Sequence, residues 1–211
     1  MKLIGMLDSP YVRRVAISLL RLGVPFEHAS VSVFRGYDQF KAINPVVKAP
    51  TLVCDDGTVL MDSTLILQYA EALAAPGRSL MPREPAALQR SLRVLGLALA
   101  GCEKAVSLVY ERNVRPPEKR HEPWVQRVTG QAEAAFAALE EELARAPLAD
   151  ADDTVDQAGI TTAVVWHFTQ DLLPGLVAPA AHPRLAAFSG RCEALPVFQA
   201  APHGEGVVAP R

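Results

Sequence analysis

The stretch "APGRSLMPREP", residues 75–85, divides this chain into two parts of different periodicity. Its three prolines and one glycine stand among polar residues, a composition that marks a connection and not an element. Before it, short strand-like and helix-like runs alternate. After it, strand signals stop and only helical spacing remains. A chain patterned in this way is confined to a small α/β domain followed by an all-α domain. The expected division is residues 1–75, a linker at 76–85, and a helical domain at 86–211.

Within the first part, "KLIGML" at residues 2–7 reads as a buried strand. Residues 11–22 switch to helical spacing, with Val12, Val15, Ala16, Leu19 and Leu22 on one stripe and Arg14, Ser18 and Arg21 off it. Ser9 stands at the N-cap position, Pro10 suits the first helical position, and Gly23 ends the helix. Residues 27–33 alternate as a half-buried strand would. Residues 34–44 read as a loop with a short helix. Two short strands, "TLVC" and "TVLM", meet through Asp55-Asp56-Gly57, a strong hairpin signal. Another helix starts at Ser63. The order is β-α-β-(α)-β-β-α.

In the second part, helical patterns cover residues 86–112, 123–145, 154–173 and 183–195, as in an all-α bundle. The Gly- and Pro-rich tail from Ala201 to Arg211 is expected to be poorly ordered.

Composition excludes several classes of function. With a net charge of −2 and a pI of about 6.2, the chain makes no electrostatic case for nucleic acid or a membrane surface. Lys119-Arg120-His121 is flanked by Glu118 and Glu122 and reads as a solvated face. Cys54, Cys102 and Cys192 lie far apart, with neither metal spacing nor a disulfide framework, which fits a reducing cytoplasm. His28, His121, His167, His182 and His203 form no ligand cluster, and no metal is expected. Trp124 and Trp166 read as packing residues. No apolar run approaches the ~18 residues of a transmembrane helix, and Asp8 interrupts the N-terminal run too early for a signal peptide.

Residues 9–12, Ser9-Pro10-Tyr11-Val12, occupy the corner where a small redox domain often carries Cys-Pro-Tyr-Cys. No cysteine stands at either thiol position, which argues against a thiol-disulfide oxidoreductase. The N-terminal order resembles the thioredoxin fold. Followed by an all-α domain, it resembles the soluble glutathione transferase family over nearly the whole chain. Ser9-Pro10-Tyr11-Val12-Arg13-Arg14-Val15 is similar to the strand-to-helix corner of serine-type bacterial members. Asn44-Pro45 with Lys48-Ala49-Pro50-Thr51-Leu52 resembles the family stretch in which a cis proline leads into the third strand. Asp62-Ser63 resembles its acidic-Ser pair, and "TVDQAGITTAVVW" its helix-capping stretch. Two positions depart from the family pattern. Ala49 replaces a larger aliphatic before the proline, and Gln157 replaces Asp after Thr154, where it can still complete a capping box.

The resemblance implies glutathione as co-substrate, and the residues can be weighed against that chemistry. If the ligand brings the thiol, the protein needs a group that favours thiolate. A free thiol of pKa ~8.5 is only about 3% ionised at pH 7. Lowering the pKa by ~2 units requires roughly 2.7 kcal/mol. A hydroxyl donating to a charged acceptor contributes ~1.5–3 kcal/mol, and a helix N-terminus ~0.3–1 kcal/mol. Ser9 at the start of a helix offers both, as donor and not as nucleophile. The bland alternative is an ordinary N-cap, and the two roles coexist only if the hydroxyl is shared or the cap is given up. Tyr11 is a competing donor.

Ser63, through its N–H and hydroxyl, is the candidate holder of the γ-glutamyl carboxylate, with Asp62 on the γ-glutamyl ammonium; the alternative is a simple cap. A cis Ala49-Pro50 would present the Ala49 backbone to the cysteinyl part by strand addition. Lys48 could meet the glycyl carboxylate or be a solvated surface lysine. Val106 and Tyr110 share a face of the first long helix, in the region that borders the pocket for the electrophile in the family; core packing is the alternative for each. The implied reaction is thiolate attack on a small apolar electrophile by a cytoplasmic homodimer, a chemistry of detoxification. The rival reading is a non-catalytic binding or regulatory protein of the same fold.

Overall fold

The computed structural model describes residues 1–209. Four three-residue strands, β1 (Lys2–Ile4), β2 (Glu27–Ala29), β3 (Thr51–Val53) and β4 (Val59–Met61), form one sheet in the order β2-β1-β3-β4. β1 runs parallel to β2, with Leu3 opposite His28, and antiparallel to β3, with Leu3 opposite Leu52. β3 and β4 make the expected hairpin, turned at Gly57 with φ +84°. Helices α1 (Pro10–Leu22), α2 (Tyr37–Ile43) and α3 (Ser63–Leu73) complete this unit.

Two strands are shorter than their apolar patterns suggest. β1 stops at Ile4 because Gly5 turns the chain at φ +137°. β2 stops at Ala29, and Val31 and Val33 continue in a loop. Both still pack against the cluster of Ile4 and Phe40. Their alternation reports burial on one side, not ladder pairing.

α1 begins and ends where its punctuation places it. Pro10 is its first residue, and Gly23, at φ +72°, directs its amide to the Leu19 and Leu20 carbonyls. The stripe of Val12, Val15, Ala16, Leu19 and Leu22 is buried as expected. The supposed polar side is not solvated: Arg14 and Ser18 are buried and Arg21 is half-buried, and Arg13 between them and the stripe is buried as well. The chain from Ala194 onward groups with the N-terminal unit, and Arg13 Nε donates to the Ala201 carbonyl at 2.9 Å with its guanidinium 5.8 Å from the Phe198 ring.

The same return of the chain overturns the expectation of a loose tail as far as Ala209; Pro210 and Arg211, also part of that expectation, lie outside the described residues. Ser30 Oγ donates to the Glu205 carbonyl at 3.0 Å, Arg35 pairs with the Glu205 carboxylate, and the Ala209 amide donates to Ala200 O at 2.9 Å. The Val208 amide donates to His28 Nδ1 at 3.1 Å. An amide can only donate, so Nδ1 is the acceptor. The imidazole is therefore neutral, with its Nε2–H directed to Gly5 O at 2.8 Å. Burial holds the His28 pKa below its ordinary 6.5.

The second unit, Met81–Glu193, contains α4 (Pro85–Asn113), α5 (Glu122–Arg145), α6 (Gln157–Leu172) and α7 (Pro183–Glu193). A short α8 (Pro196–Gln199) follows in the returning segment. α4 starts on the last proline of the expected linker, with the Glu84 carboxylate accepting from the Ala86 and Ala87 amides. α6 is buried on nearly every side, and its Trp166 meets Phe136 edge-on at 5.8 Å. Trp124, expected to pack, is instead 46% exposed. Thr154 does not cap α6. Asp156 does, its Oδ1 accepting from the Gly159 amide at 2.8 Å, while Gln157 is the first helical residue. Among the described residues, no helix is long and apolar enough to cross a membrane.

Candidate functional site

Gly5 sets the corner after β1. Its amide donates to Ala29 O at 3.0 Å and its carbonyl accepts from His28, so β2 holds it from both sides. A Cβ at Gly5 would lie 2.6 Å from Val12 Cγ2 and 3.2 Å from Ala49 Cβ. One point therefore touches both the first turn of α1 and the residue before Pro50, and only glycine leaves room for both. Two motifs thirty-odd residues apart in sequence become neighbours here.

Ser9 caps α1. Its carbonyl accepts from the Arg13 amide at 2.9 Å, and its half-buried Oγ accepts from the Val12 amide at 3.4 Å. The cap bond is long, and it uses a lone pair only. The hydroxyl proton is a separate resource and remains available to donate. Capping and thiol contact are thus compatible without giving up either. Tyr11, half-buried, lies in the first turn beside it. Asp8 next door is pushed up by burial, against the Ser9 amide and the charge of His203, which pull it down.

The loop leading into β3 is held by the buried side chain of Asn44, a residue of the motif to which the sequence assigned no role of its own. Asn44 Nδ2 donates to Thr51 Oγ1 at 2.8 Å, its Oδ1 accepts from the Val46 amide at 3.0 Å, and Thr51 Oγ1 donates to Lys48 O at 2.7 Å. This network brackets residues 46–50, where Val47 takes φ +52° and the Ala49-Pro50 peptide is cis. Ala49 is half-buried, and among the described residues its amide and carbonyl have no hydrogen-bond partner. The Lys48 side chain is exposed.

Asp62 caps α3 from an uncommon conformation, φ +72° and ψ +124°, with its carboxylate accepting from the Thr64 amide at 2.9 Å. A non-glycine residue held there stores about 1–3 kcal/mol, a feature that clusters at functional sites. Ser63 is therefore not the cap but the first helical residue, and its amide has no intrahelical partner. Its side chain is buried and accepts from Arg14 Nη1 at 2.9 Å. Arg14 also approaches Thr64 Oγ1 at 3.4 Å. α1 and α3 are thus tied at the start of α3.

The N-terminal unit brings together Ser9, Ala49 with Pro50, and Asp62 with Ser63, through Gly5 and Arg14. It offers a free hydroxyl proton at one helix start, unpaired backbone at a loop edge, and free donors at a second helix start. Such a set suits an extended peptide-like anion carrying a thiol. Val106 and Tyr110 belong to the second unit, one turn apart on α4, the first half-buried and the second 45% exposed. Of the positioning residues missed, Gly5 had a signal, a glycine directly after an apolar strand. Arg14 had none, since periodicity placed it on the polar side of its helix.

Cys54, Cys102 and Cys192 are free thiols, all buried. Burial, with Asp150 and Glu193 nearby, pushes Cys192 up to about 12, and burial raises Cys54. Among the described residues, no three or more His, Cys, Asp or Glu side chains are grouped to hold a metal ion.

Residues 3–79 match the family model of the glutathione S-transferase N-terminal domain. The uncharacterized GST-like protein YibF of Escherichia coli is 30% identical over 164 residues, 77% of this chain and 79% of the relative. A glutathione transferase family member from Pseudomonas fluorescens, solved with S-(propanoic acid)-glutathione bound, superimposes with a TM-score of 0.78 at 30% identity, covering 95% of this chain and 98% of the other. A glutathione S-transferase from Methylobacterium radiotolerans, in complex with glutathione sulfonate, reaches a TM-score of 0.84 at 29% identity, covering 96% and 95%.

Proposed function

Because this chain belongs to the glutathione S-transferase family, we propose that it binds glutathione on its N-terminal unit and delivers the thiolate to a small apolar electrophile. The observation that carries the reading is the Gly5 corner, which sets Ser9's helix start against Ala49 ahead of the cis proline. Ser9 donates a hydrogen bond from its hydroxyl to the glutathione sulfur and so favours the thiolate, the thiol proton passing to solvent, which makes this a serine-type member. The Ala49 backbone pairs with the cysteinyl part. Ser63 and Asp62 receive the γ-glutamyl carboxylate and ammonium, and Lys48 the glycyl carboxylate. The sulfur lone pair then forms a carbon–sulfur bond, and a leaving group departs or the new carbanion takes a proton. Tyr11 is the alternative donor, and Val106 and Tyr110 are the proposed electrophile contacts.

The same reading makes the protein a cytoplasmic homodimer, with residues 1–75 as the glutathione domain and the helices after the 76–85 linker as the electrophile domain. Three reduced, buried thiols support the compartment. Exposed Leu65, Tyr69 and Leu73, spaced by four along α3, support the dimer, since they form an apolar stripe that stays exposed among the described residues.

Calorimetric titration with glutathione tests the binding. A thiolate absorbance titration of the complex tests the donor: Ser9→Ala should raise the bound thiol pKa by about 1–2 units. Absence of binding overturns the reading. If Ser9→Ala titrates like wild type while Tyr11→Phe shifts upward, Tyr11 is the donor. Binding without turnover across addition, aromatic-substitution and halide-displacement electrophiles means a binding protein of the same fold.

A further inference from the structure

We propose that Arg14 is a positioning residue for the carboxylate end of the ligand, acting through Ser63. This rests on glutathione being the ligand, and it assigns a task to a side chain outside the expected contact set. Arg14 lies one turn into α1 and is 1% exposed. Its Nη1 donates to Ser63 Oγ at 2.9 Å.

A hydroxyl has one proton and two lone pairs. A guanidinium cannot accept, so its bond occupies a lone pair of Ser63 Oγ and turns the hydroxyl proton away from Arg14. Ser63 is thereby fixed as a donor. Its own amide, first in α3, is a second donor without an intrahelical partner. Both stand at the positive end of the helix. The Asp62 side chain, by contrast, can only accept: its Oδ1 takes the Thr64 amide at 2.9 Å, and its other oxygen suits an ammonium and not a carboxylate. A carboxylate accepting from the Ser63 hydroxyl also places its charge one hydrogen bond beyond a buried cation, where attraction is weakly screened. Without Arg14, the hydroxyl could rotate its proton inward or accept elsewhere. The carboxylate would then lose both an oriented donor and a nearby positive charge.

The test is a double-mutant cycle read by glutathione affinity, with Arg14→Lys, Ser63→Ala and the double variant in the full-length protein. Arg14→Lys keeps the charge but loses the planar fork that reaches Ser63. It is expected to weaken glutathione about 10-fold, and Ser63→Ala by about 10-fold. The double variant should be no more than about 10- to 20-fold weaker, because Arg14 acts through a hydroxyl already removed. Cysteinylglycine, which lacks the γ-glutamyl group, should bind wild type and Arg14→Lys alike. Multiplicative losses near 100-fold, or an equal loss for cysteinylglycine, would mean that Arg14 supports the fold and not the ligand. If Arg14→Lys does not fold, the Arg14 Nε resonance of 15N-labelled wild type decides. It should move when glutathione binds and stay when cysteinylglycine binds, and a resonance that ignores bound glutathione overturns the assignment. Should wild type bind no glutathione, the proposed function fails first; binding with a multiplicative cycle fails this inference alone.

Discussion

The starts of α1 and α6 solve the same local problem in opposite ways. Each helix opens with a short polar side chain that accepts from a backbone amide three residues on. At α6 the acceptor is Asp156, at 2.8 Å, also half-buried, where desolvation pushes its carboxyl up despite the Gly159 and Ala158 amides. At α1 it is Ser9, half-buried, with a 3.4 Å bond and a hydroxyl proton left over. A carboxylate cap has no donor to spare, whereas a hydroxyl cap has one. The first arrangement is spent on stability, and the second leaves a hydrogen-bonding group at a helix N-terminus. A cap residue in sequence therefore says little about function until its remaining capacity and exposure are known.

The largest expected effect separates the two caps by activity. Ser9→Ala should lower turnover with glutathione near neutral pH by roughly 10- to 100-fold, with partial recovery in alkali as the thiol ionises unaided. It should cost no more than ~1 kcal/mol of stability, because the cap bond is long. A rate unchanged between the two proteins would erase the difference between the caps.

Asp156→Ala should do the reverse. We expect a loss of about 1–2 kcal/mol in urea denaturation, with glutathione affinity unchanged. Asp156→Asn sharpens the point, since Asn caps nearly as well and carries no charge. The folded-state pKa of Asp156 is raised, so its contribution is fully present below the unfolded value and is lost as pH rises through the folded one. The asparagine variant should therefore gain on wild type as pH climbs from about 4 toward 7. A difference independent of pH would mean that the carboxyl is not held up by burial.

A smaller effect concerns His28, which joins Gly5, and so the Ser9 corner, to the tail at Val208. Its folded pKa is depressed, so its contribution is present above about 6.5 and is lost as pH falls through the folded value. Wild type should lose stability between pH 7 and 5 relative to His28→Gln. Hydrogen exchange at Val208 should rise over the same interval, and unchanged exchange would break the link. The smallest expected signal is from the thiols. A disulfide reagent at pH 7 should find them slow in the native protein and reactive after unfolding, as burial and the Cys192 value of about 12 require. Prompt modification of the native protein would contradict their burial.

Much of the scaffold was legible in the residues. Pro10 and Gly23 bound α1, Asp55-Asp56-Gly57 turned the hairpin, and the 75–85 stretch preceded the change to helices. Each is a local preference of backbone conformation that does not need a neighbour. Errors arose where two local signals competed or where a distant segment intervened. Thr154 and Asp156 are both good caps, and α6 uses the second. The alternation of Ala29, Val31 and Val33 was burial without strand pairing. Ser9, Ala49, Pro50, Asp62 and Ser63 could be nominated by resemblance, but what each side chain had left to give could not.

What the sequence determined by itself is the order of elements and their punctuation, because turn residues, caps and apolar spacing act over a few residues. The tertiary structure alone decided that Arg13 and Arg14 are buried. The chain from Ala194 comes back onto the N-terminal unit, where Ala201 O meets the Arg13 guanidinium, and Ser63 Oγ meets that of Arg14, which helical periodicity places off the apolar stripe. It also decided that Gly5 touches Val12 and Ala49 at once. Gly5–Val12 aside, these contacts join residues 44 to 188 positions apart. A pattern read along the chain carries no term for such pairs, whose energy exists only once the sheet and its helices have closed on each other.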